Sequence, residues 1–416
     1  MGSIKQFLRA LIPAPLLSLY HYLLAEFGAL IFGFPSRKLL VIAVTGTKGK
    51  SSTTEMLNSI LEEAGHKTSL LNSIRIKLGD NSQPNLMRMS MPGRFFIQRF
   101  LRDAVSLGCT AAILEMTSEG ARQYRHRGID LDALVFTNLA PEHIESHGSL
   151  EAYADAKFEI GRQLARSRKQ PRIMVANADD AQSARYLALA VEEKLPFSLS
   201  ANPPWYADSV GGYFTFDGVK IPVHLPGEFS LKNALAATTL GKALGIKAEV
   251  AARGLDKLLI IPGRGERIEA GQPFAVVVDY AHTPESLQAL YDAYKGMRKI
   301  CVMGSMGAGR DTWKRPVMGK IADAECETVI LTNEDPGDED PQAILEALAS
   351  EMARAPEMVL DRRLAIRRAL EIARADSVVL ISGKGTDPWI YGPGGTKIPW
   401  SDAEVAREEL ERLLRR

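Results

Sequence analysis

Eight consecutive residues carry the clearest chemical signal in the chain: Thr45-Gly46-Thr47-Lys48-Gly49-Lys50-Ser51-Ser52. Glycines let backbone N–H groups turn inward on phosphate oxygens, and the N-terminus of a following helix adds its positive end. In such a loop Lys50 reaches the β- and γ-phosphates of a nucleoside triphosphate, and the Ser51 hydroxyl ligates Mg2+. The match to GxxxxGK[ST] is incomplete, because Val44 holds the first glycine position. Glu115 ends the apolar run Ala111–Leu114, where a carboxylate is well placed to hold the same metal. A second cluster, Glu142, His143, Glu145 and His147, follows the run Ala133–Phe136 and the triplet Thr137-Asn138-Leu139. Two histidines and two glutamates this close, just after a strand end, favour a site over a lone structural histidine. Downstream, Tyr153-Ala154-Asp155-Ala156-Lys157 puts Lys157 on a helix near these groups.

These residues need elements to position them. Leu39–Val44 is a continuous apolar run ending at a glycine-rich turn, the pattern of a buried parallel strand. A helical pattern follows over Ser52–Ala64, with Gly65 as its C-terminal cap. Ala111–Leu114, Ala133–Phe136 and Ile173–Ala176 are further strand candidates separated by helical stretches. This alternation predicts an α/β fold with a parallel sheet. Residues 200–226 are turn-rich and predict a small antiparallel patch on the same domain. After Ile261-Pro262-Gly263-Arg264-Gly265-Glu266-Arg267 the alternation restarts, with strands expected at Ala275–Val278, Lys299–Met303, Thr328–Leu331 and Ser377–Ile381. The second cycle predicts a separate, Rossmann-like doubly wound domain. The expected organisation is an apolar helical segment over 1–38, a central ATP-binding domain over 39–262 and a C-terminal domain over 263–416.

Composition sets the outer bounds. The 416 residues are 46% hydrophobic and 24% charged, which excludes a disordered or low-complexity chain. Lys plus Arg number 51 against 50 acids, so bulk charge argues against a nucleic-acid partner while leaving room for a local phosphate site. Cys109, Cys301 and Cys326 are far apart and odd in number. They predict neither a disulfide framework nor a metal site, and fit a reducing, cytoplasmic setting. Ala14–Phe34 is almost wholly apolar, broken by His21 and Glu26, with Lys5, Arg9, Arg37 and Lys38 on its flanks. Three readings stand open: a helix or hairpin on the membrane surface, a helix packed on the protein's own core, and a span, which Glu26 and His21 would make costly.

The loop Thr45–Ser52 resembles that of the Mur ligases and folylpolyglutamate synthetases. The match to the Mur ligases then runs in order through Glu115, Thr137-Asn138-Leu139, Glu142-His143, His147-Gly148 and the Tyr153–Lys157 helix. Val278-Asp279-Tyr280-Ala281-His282-Thr283-Pro284 is the most specific mark. It looks like the member that adds the third residue of the peptidoglycan stem peptide. The resemblance implies an ATP-dependent ligase. ATP would phosphorylate the D-glutamate carboxylate of a muramoyl-dipeptide, and the amine of a free amino acid would displace phosphate. It further implies two Mg2+ ions held by Ser51, Glu115, His143 and a carbamylated Lys157. A carbamate would reverse the sign of a lysine that otherwise places a cation beside the metal. Asn138, Arg264, Asp279 and His282 match positions that hold the nucleotide. Ser118, Gln123 and Arg125 match positions that contact the muramoyl-dipeptide. Lys50 with Arg310 and Lys314 would complete a charge clamp on the transferred phosphate. A monomer at the inner face of the membrane is the expected setting.

Two departures narrow this reading. Members that use meso-diaminopimelate carry D-N-P-R where this chain has Glu334-Asp335-Pro336-Gly337, and G-K-G-H-E where it has Gly383-Lys384-Gly385-Thr386-Asp387. Gly337 cannot pair with a distal carboxylate as arginine would. A lysine-like diamino acid is therefore expected, met by Asp335, Pro336, Gly383 and Asp387. The loop at Thr45 also comes too early for the domain of about 90 residues that grips the uridine nucleotide in other members. A lipid-linked acceptor is the alternative, as are cyanophycin- or polyglutamate-type ligation and, on different grounds, a non-catalytic nucleotide-binding scaffold.

Overall fold

The computed structural model describes residues 14–142, 144–307 and 311–415. His143, Arg310 and the first 13 residues, with Lys5 and Arg9, lie outside them. By compactness the chain divides into two units. One takes in residues up to Leu139 with Glu151–Ser198 and Ala236–Lys247; the other holds Ala140–Leu150, Leu199–Leu235 and everything from Ala248.

In the first unit the apolar run around Val41 forms β1 (Leu40–Thr45), buried along nearly its whole length. It lies inside an eight-stranded sheet with β2 (Thr68–Leu71), β3 (Arg75–Leu78), β4 (Asn81–Pro84), β5 (Ala111–Glu115), β6 (Ala133–Phe136), β7 (Ile173–Asn177) and β8 (Glu193–Phe197). The order is β4-β3-β2-β5-β1-β6-β7-β8. All neighbours pair parallel except β3 and β4, which add an antiparallel edge. β1 pairs with β5 on one side and β6 on the other, so chain order reverses there. In open α/β sheets this switch point opens a crevice at the carboxyl ends of the strands. The loop after β1, the end of β5 and the residues after β6 all meet in it.

Helix Lys50–Glu63 follows β1. It ends as the sequence predicts, at glycine: Gly65 has φ +88°. The N–H of His66 bonds Leu61 O at 2.9 Å and that of Gly65 bonds Glu62 O at 2.9 Å. This is the Schellman closure that a left-handed residue permits.

In the second unit, β12 (Glu266–Arg267), β13 (Ala275–Asp279), β14 (Arg298–Met303), β15 (Thr328–Leu331), β16 (Glu357–Met358) and β17 (Ser377–Ser382) form a sheet of order β12-β13-β17-β14-β15-β16. Only β12 runs antiparallel. Val277, Cys301, Leu331 and Leu380 face one apolar cluster, and Val278, Ile300, Ile330 and Val379 the other. Burial on both faces explains why these strands read as unbroken apolar runs. Within the unit, Arg362 binds Asp402 through Nε at 2.8 Å and Nη2 at 2.7 Å, and Nη2 also donates to Ser382 O. Both partners are fully buried, so removing one would cost about 3–5 kcal/mol.

The turn-rich stretch forms three antiparallel strands, Trp205–Ala207, Gly212–Phe216 and Val219–Val223, grouped by compactness with this second unit.

One expectation is corrected. Cys301 and Cys326 are joined, with an S–S distance of 1.97 Å and Cα atoms 6.2 Å apart, although 25 residues separate them. Cys301 lies in β14, and Cys326 closes the helix Lys314–Glu325 that leads into the adjacent parallel β15. The crossover brings together residues that sequence distance had kept apart. Cys109 is buried and unpaired.

Helix Ala14–Ile31 packs on the first unit through Ala25 and Ala29, both 0% exposed. Among the described residues no helix is long and apolar enough to cross a membrane, which removes the spanning reading for them.

Candidate active site

The loop after β1 is held by main-chain and side-chain bonds to the residues after β6. Thr47 N–H donates to Asn138 O at 2.8 Å, and Lys48 N–H to Asn138 Oδ1 at 3.0 Å. Asn138 Nδ2 returns a bond to Lys48 O at 3.1 Å, and Thr137 Oγ1 donates to the same carbonyl at 2.6 Å. Gly46 makes this approach possible. Its φ is +146°, and a Cβ there would stand 2.0 Å from Thr137 Oγ1. Gly49, at φ +79°, turns the chain into the helix that starts at Lys50. The Lys50 ammonium folds back onto Thr47 O at 2.7 Å, across the concavity where phosphates would lie. Ser52 follows Ser51 in the first turn of the same helix.

Glu115 closes the metal side of this loop. It is 4% exposed at the end of β5, in register with Val44. Ser51 Oγ donates to Glu115 Oε2 at 2.9 Å, and Ser73 N–H donates to the same oxygen at 3.0 Å. The hydroxyls of Ser51 and Ser73 are 2.9 Å apart. Nothing in the sequence singled out Ser73; it reaches the site because β2 lies beside β5, and only pairing reveals that. The donor set of one hydroxyl and one carboxylate at a phosphate loop suits Mg2+, which keeps several waters and leans on phosphate oxygens. Among the described residues no group of three or more His, Cys, Asp or Glu side chains is poised to hold a metal.

Lys157 reaches the loop from helix Leu150–Ala165. It is 2% exposed, its ammonium donates to Gly46 O at 2.7 Å, and it lies 4.5 Å from the Tyr153 ring centroid. Tyr153 OH is 3.2 Å from Thr47 Oγ1. The buried ammonium is thus tied to the main chain of the phosphate-loop sequence itself. Nearby on the first unit, Arg125 Nη2 donates to Gln123 Oε1 at 2.7 Å, its Nη1 bonds Met91 O, and Tyr124 between them adopts φ +56°. Ser118 is buried at the start of a short helix capped by Thr117.

The second unit gathers the remaining predicted residues into two groups. Asp279 accepts from Gly265 N–H at 2.6 Å and Ala281 N–H at 2.7 Å. Burial pushes its carboxyl above the usual range, opposed by Arg264, by those two N–H groups and by His282. The Arg264 guanidinium stands 4.3 Å over the Tyr280 ring. His282 approaches Tyr280 O through Nδ1 at 2.7 Å and Glu142 Oε1 through Nε2 at 3.0 Å. Lys314 is buried at the start of its helix, and Asp311 just before it accepts from Ile144 N–H at 3.1 Å.

The other group surrounds the chain's departure from D-N-P-R. Lys384, 0% exposed, donates to Asp335 Oδ1 at 2.7 Å and Trp389 O at 2.6 Å, with Asp387 Oδ2 at 3.5 Å. Tyr391 N–H also donates to Asp335 Oδ1, at 3.0 Å. Gly337, at φ +59°, donates to Tyr391 O at 3.0 Å, and Pro336 precedes it. Glu334 is 1% exposed, and neither of its carboxylate oxygens has a hydrogen-bond partner among the described residues. Burial raises its pKa above the ordinary glutamate value. A Cβ on Gly383 would stand 2.3 Å from Glu334 Oε2, so glycine is what admits this carboxylate.

A phosphate loop at a switch point, a serine–glutamate pair beside it and a second doubly wound unit fit an α/β nucleotide-binding enzyme. Family models agree: the Mur ligase middle domain matches residues 44–241, and the Mur ligase glutamate ligase domain matches 263–385. A UDP-N-acetylmuramyl-tripeptide synthetase of Roseiflexus sp. is 37% identical, over 94% of this chain and 82% of its own length. The UDP-N-acetylmuramoyl-L-alanyl-D-glutamate–2,6-diaminopimelate ligase of Bacillus cereus is 32% identical over the same shares, 94% and 82%. A solved structure of a diaminopimelate ligase of that name shares 28% identity at a TM-score of 0.61, covering 90% of this chain and 79% of its own. A Mycobacterium tuberculosis folylpolyglutamate synthase shares the fold at 15% identity, with a TM-score of 0.69 and coverage of 88% and 93%. The chain belongs to the Mur ligase family. It is an ATP- and magnesium-dependent, ADP-forming acid–amino acid ligase of peptidoglycan synthesis.

Proposed function

We propose that this ligase joins a lysine-like diamino acid to the D-glutamate of a muramoyl-dipeptide. The carrying observation is Glu334, a buried carboxylate with no hydrogen-bond partner among the described residues, in the loop where diaminopimelate enzymes place D-N-P-R. Glu334, Asp335 and Asp387 set three carboxylates against Lys384, while Arg362 is matched by Asp402. Such a surplus favours an incoming side chain that ends in an ammonium over one that adds a carboxylate. Arg362, Lys384 and His282 already act on Glu334 without hydrogen-bonding it, and the ammonium would add a cation that does.

The chemistry has two displacements. A carboxylate oxygen of the acceptor attacks the γ-phosphorus of ATP, the bond to the β-bridging oxygen breaks, and ADP leaves. The deprotonated amine of the amino acid then attacks the acyl carbon, and phosphate leaves as the tetrahedral adduct collapses. Lys50 and the loop N–H groups hold the phosphates in line, with Lys314 and Arg310 as further cations of the clamp. Two Mg2+ ions, when bound, neutralise charge on the transferred phosphoryl group. Ser51, Glu115, His143 and a carbamylated Lys157 would hold them. Asn138, Arg264, Asp279 and His282 bind the nucleotide in this reading, and Ser118, Gln123 and Arg125 bind the acceptor. The protein acts as a monomer at the inner face of the membrane, which residues 1–38 contact.

The test is ADP release measured with UDP-linked muramoyl-dipeptide and a panel of amino acids. Release should require both, with lysine or ornithine giving the highest kcat/KM; diaminopimelate giving the highest would sink the specificity reading. Lys50→Ala should lower kcat by at least about 100-fold. Lys157→Ala should be equally impaired and partly rescued by short carboxylates, whereas acetate-insensitive activity would remove the carbamate.

A further inference from the structure

The helix Ala14–Ile31 has two faces of unlike chemistry. One is fastened to the protein. A Cβ on Gly128 would stand 2.6 Å from Ala29 Cβ, so helix and loop touch at their smallest residues. Ser18 Oγ lies 2.6 Å from Tyr124 OH. Arg94 Nη2 is 2.9 Å from His21 Nδ1 and donates to Gln123 O at 2.6 Å, and Arg127 stands over the Tyr22 ring. The opposite face carries Leu16, Leu19, Leu23, Phe27, Leu30 and Ile31, each more than half exposed. Their spacing follows one stripe of an α-helix. A contiguous apolar stripe left in water marks an interaction surface.

The charge around the stripe says what covers it. Arg37 and Lys38 follow the helix and are exposed, with Arg37 stacked 4.0 Å over the Phe34 ring. Arg99 and Arg102, on the neighbouring helix Arg94–Ser106, are also exposed, and Arg102 lies 5.2 Å over the Phe32 ring. Asp130 pairs with Arg37 and Asp103 with Arg99 and Arg102, leaving four cations against two carboxylates. Glu26 is the only acid within the helix and is half-buried. Leucine and phenylalanine bordered by stacked arginines is the make-up of a helix lying in a membrane interface rather than across it.

We infer that this face seats the enzyme on a bilayer surface bearing anionic headgroups, and that the acceptor is a muramoyl peptide anchored by lipid in the same surface. The second half rests on the assignment of Gln123 and Arg125 to the acceptor. The helix meets Tyr124, the residue between them, through Ser18, and reaches Gln123 O through Arg94, which also contacts His21, so what seats the stripe also sets the height of that element above the membrane.

The experiment uses the full chain and the double variant Leu23→Glu/Phe27→Glu, neither residue being part of the catalytic or acceptor machinery. Wild type should sediment with mixed phosphatidylglycerol–phosphatidylcholine vesicles, less so as salt rises, and hardly with phosphatidylcholine alone. The variant should lose binding by at least about tenfold. With UDP-linked muramoyl-dipeptide the two proteins should ligate equally. With the dipeptide carried on a polyprenyl diphosphate in the same vesicles, the variant should be slower by at least about tenfold. Equal rates on that acceptor, or wild type remaining in the supernatant with phosphatidylglycerol vesicles, overturn the inference. So does light scattering that finds a dimer which the variant splits, because the stripe would then be covered by a second copy. Should the double variant melt early, Leu19→Ser/Leu30→Ser replaces it. If neither acceptor supports ADP release, the ligase reading fails instead, and sedimentation still decides the membrane half.

Discussion

Glu334 shows how a single side chain can oppose folding and serve binding at once. Burial raises its pKa, so the folded protein holds this proton more tightly than the unfolded chain does. A carboxyl group whose pKa rises on folding adds stability below its unfolded value, near 4.3, and that contribution is lost as pH climbs through the folded value. At pH 8 the ion is a burden on the fold, which the neutral isostere removes. Glu334→Gln should therefore raise stability by about 1–3 kcal/mol at pH 8 and by much less near pH 5. Urea melts at the two pH values check this; a gain that does not change with pH would mean that Glu334 is uncharged for another reason. The same variant should raise KM for a cationic amino acid by about tenfold, the loss of roughly 1.4 kcal/mol. Residue types at this scale were largely legible beforehand: Lys50, Ser51, Glu115, Asn138 and Lys157 meet at the loop from four separate stretches of chain. Ser73 was not legible, because a serine after a short strand resembles any turn residue until β2 is laid against β5. Nor was the engagement of Asp335 with Lys384, since a contact between residues 49 apart depends on which strands are neighbours.

At the scale of elements, glycines separate the functional turns from the merely compliant ones. Gly46 and Gly65 bracket the same helix, both with positive φ. At Gly46 an added methyl would strike Thr137 Oγ1, whereas at Gly65 nothing lies within 4 Å. Gly65→Ala should cost about 1 kcal/mol of stability through backbone strain and leave the KM for ATP unchanged. Gly46→Ala should push the loop away from Thr137 and Asn138 and lower kcat/KM for ATP by at least about 100-fold, with the far-UV circular dichroism preserved. If the two variants behaved alike, the loop's approach to Thr137 would have no part in binding phosphate. The strands themselves were readable because burial on both sheet faces leaves no alternation, only a run such as Val41–Val44. Their order was not. Two runs of equal hydrophobicity give no indication of which is central, and the cysteine pair across the second sheet was missed for the same reason.

The whole molecule carries a net charge of +1, with an isoelectric point near 7.7. Phosphate chemistry is therefore confined to one loop and a few buried cations, and no long-range field draws polyanions in. The same balance leaves little electrostatic repulsion between copies near pH 7.7, just where an exposed apolar stripe favours association. The protein should be least soluble near that pH. Static light scattering at low ionic strength should show its most attractive second virial coefficient there, turning repulsive about two pH units lower as carboxylates and histidines gain protons. Leu23→Glu/Phe27→Glu acts on both terms, removing apolar surface and shifting the net charge by two towards the negative side. Its solubility minimum should move to lower pH and become shallower. A minimum that moves without becoming shallower would mean that charge alone governs association, and that the stripe contributes nothing to contacts between copies in water.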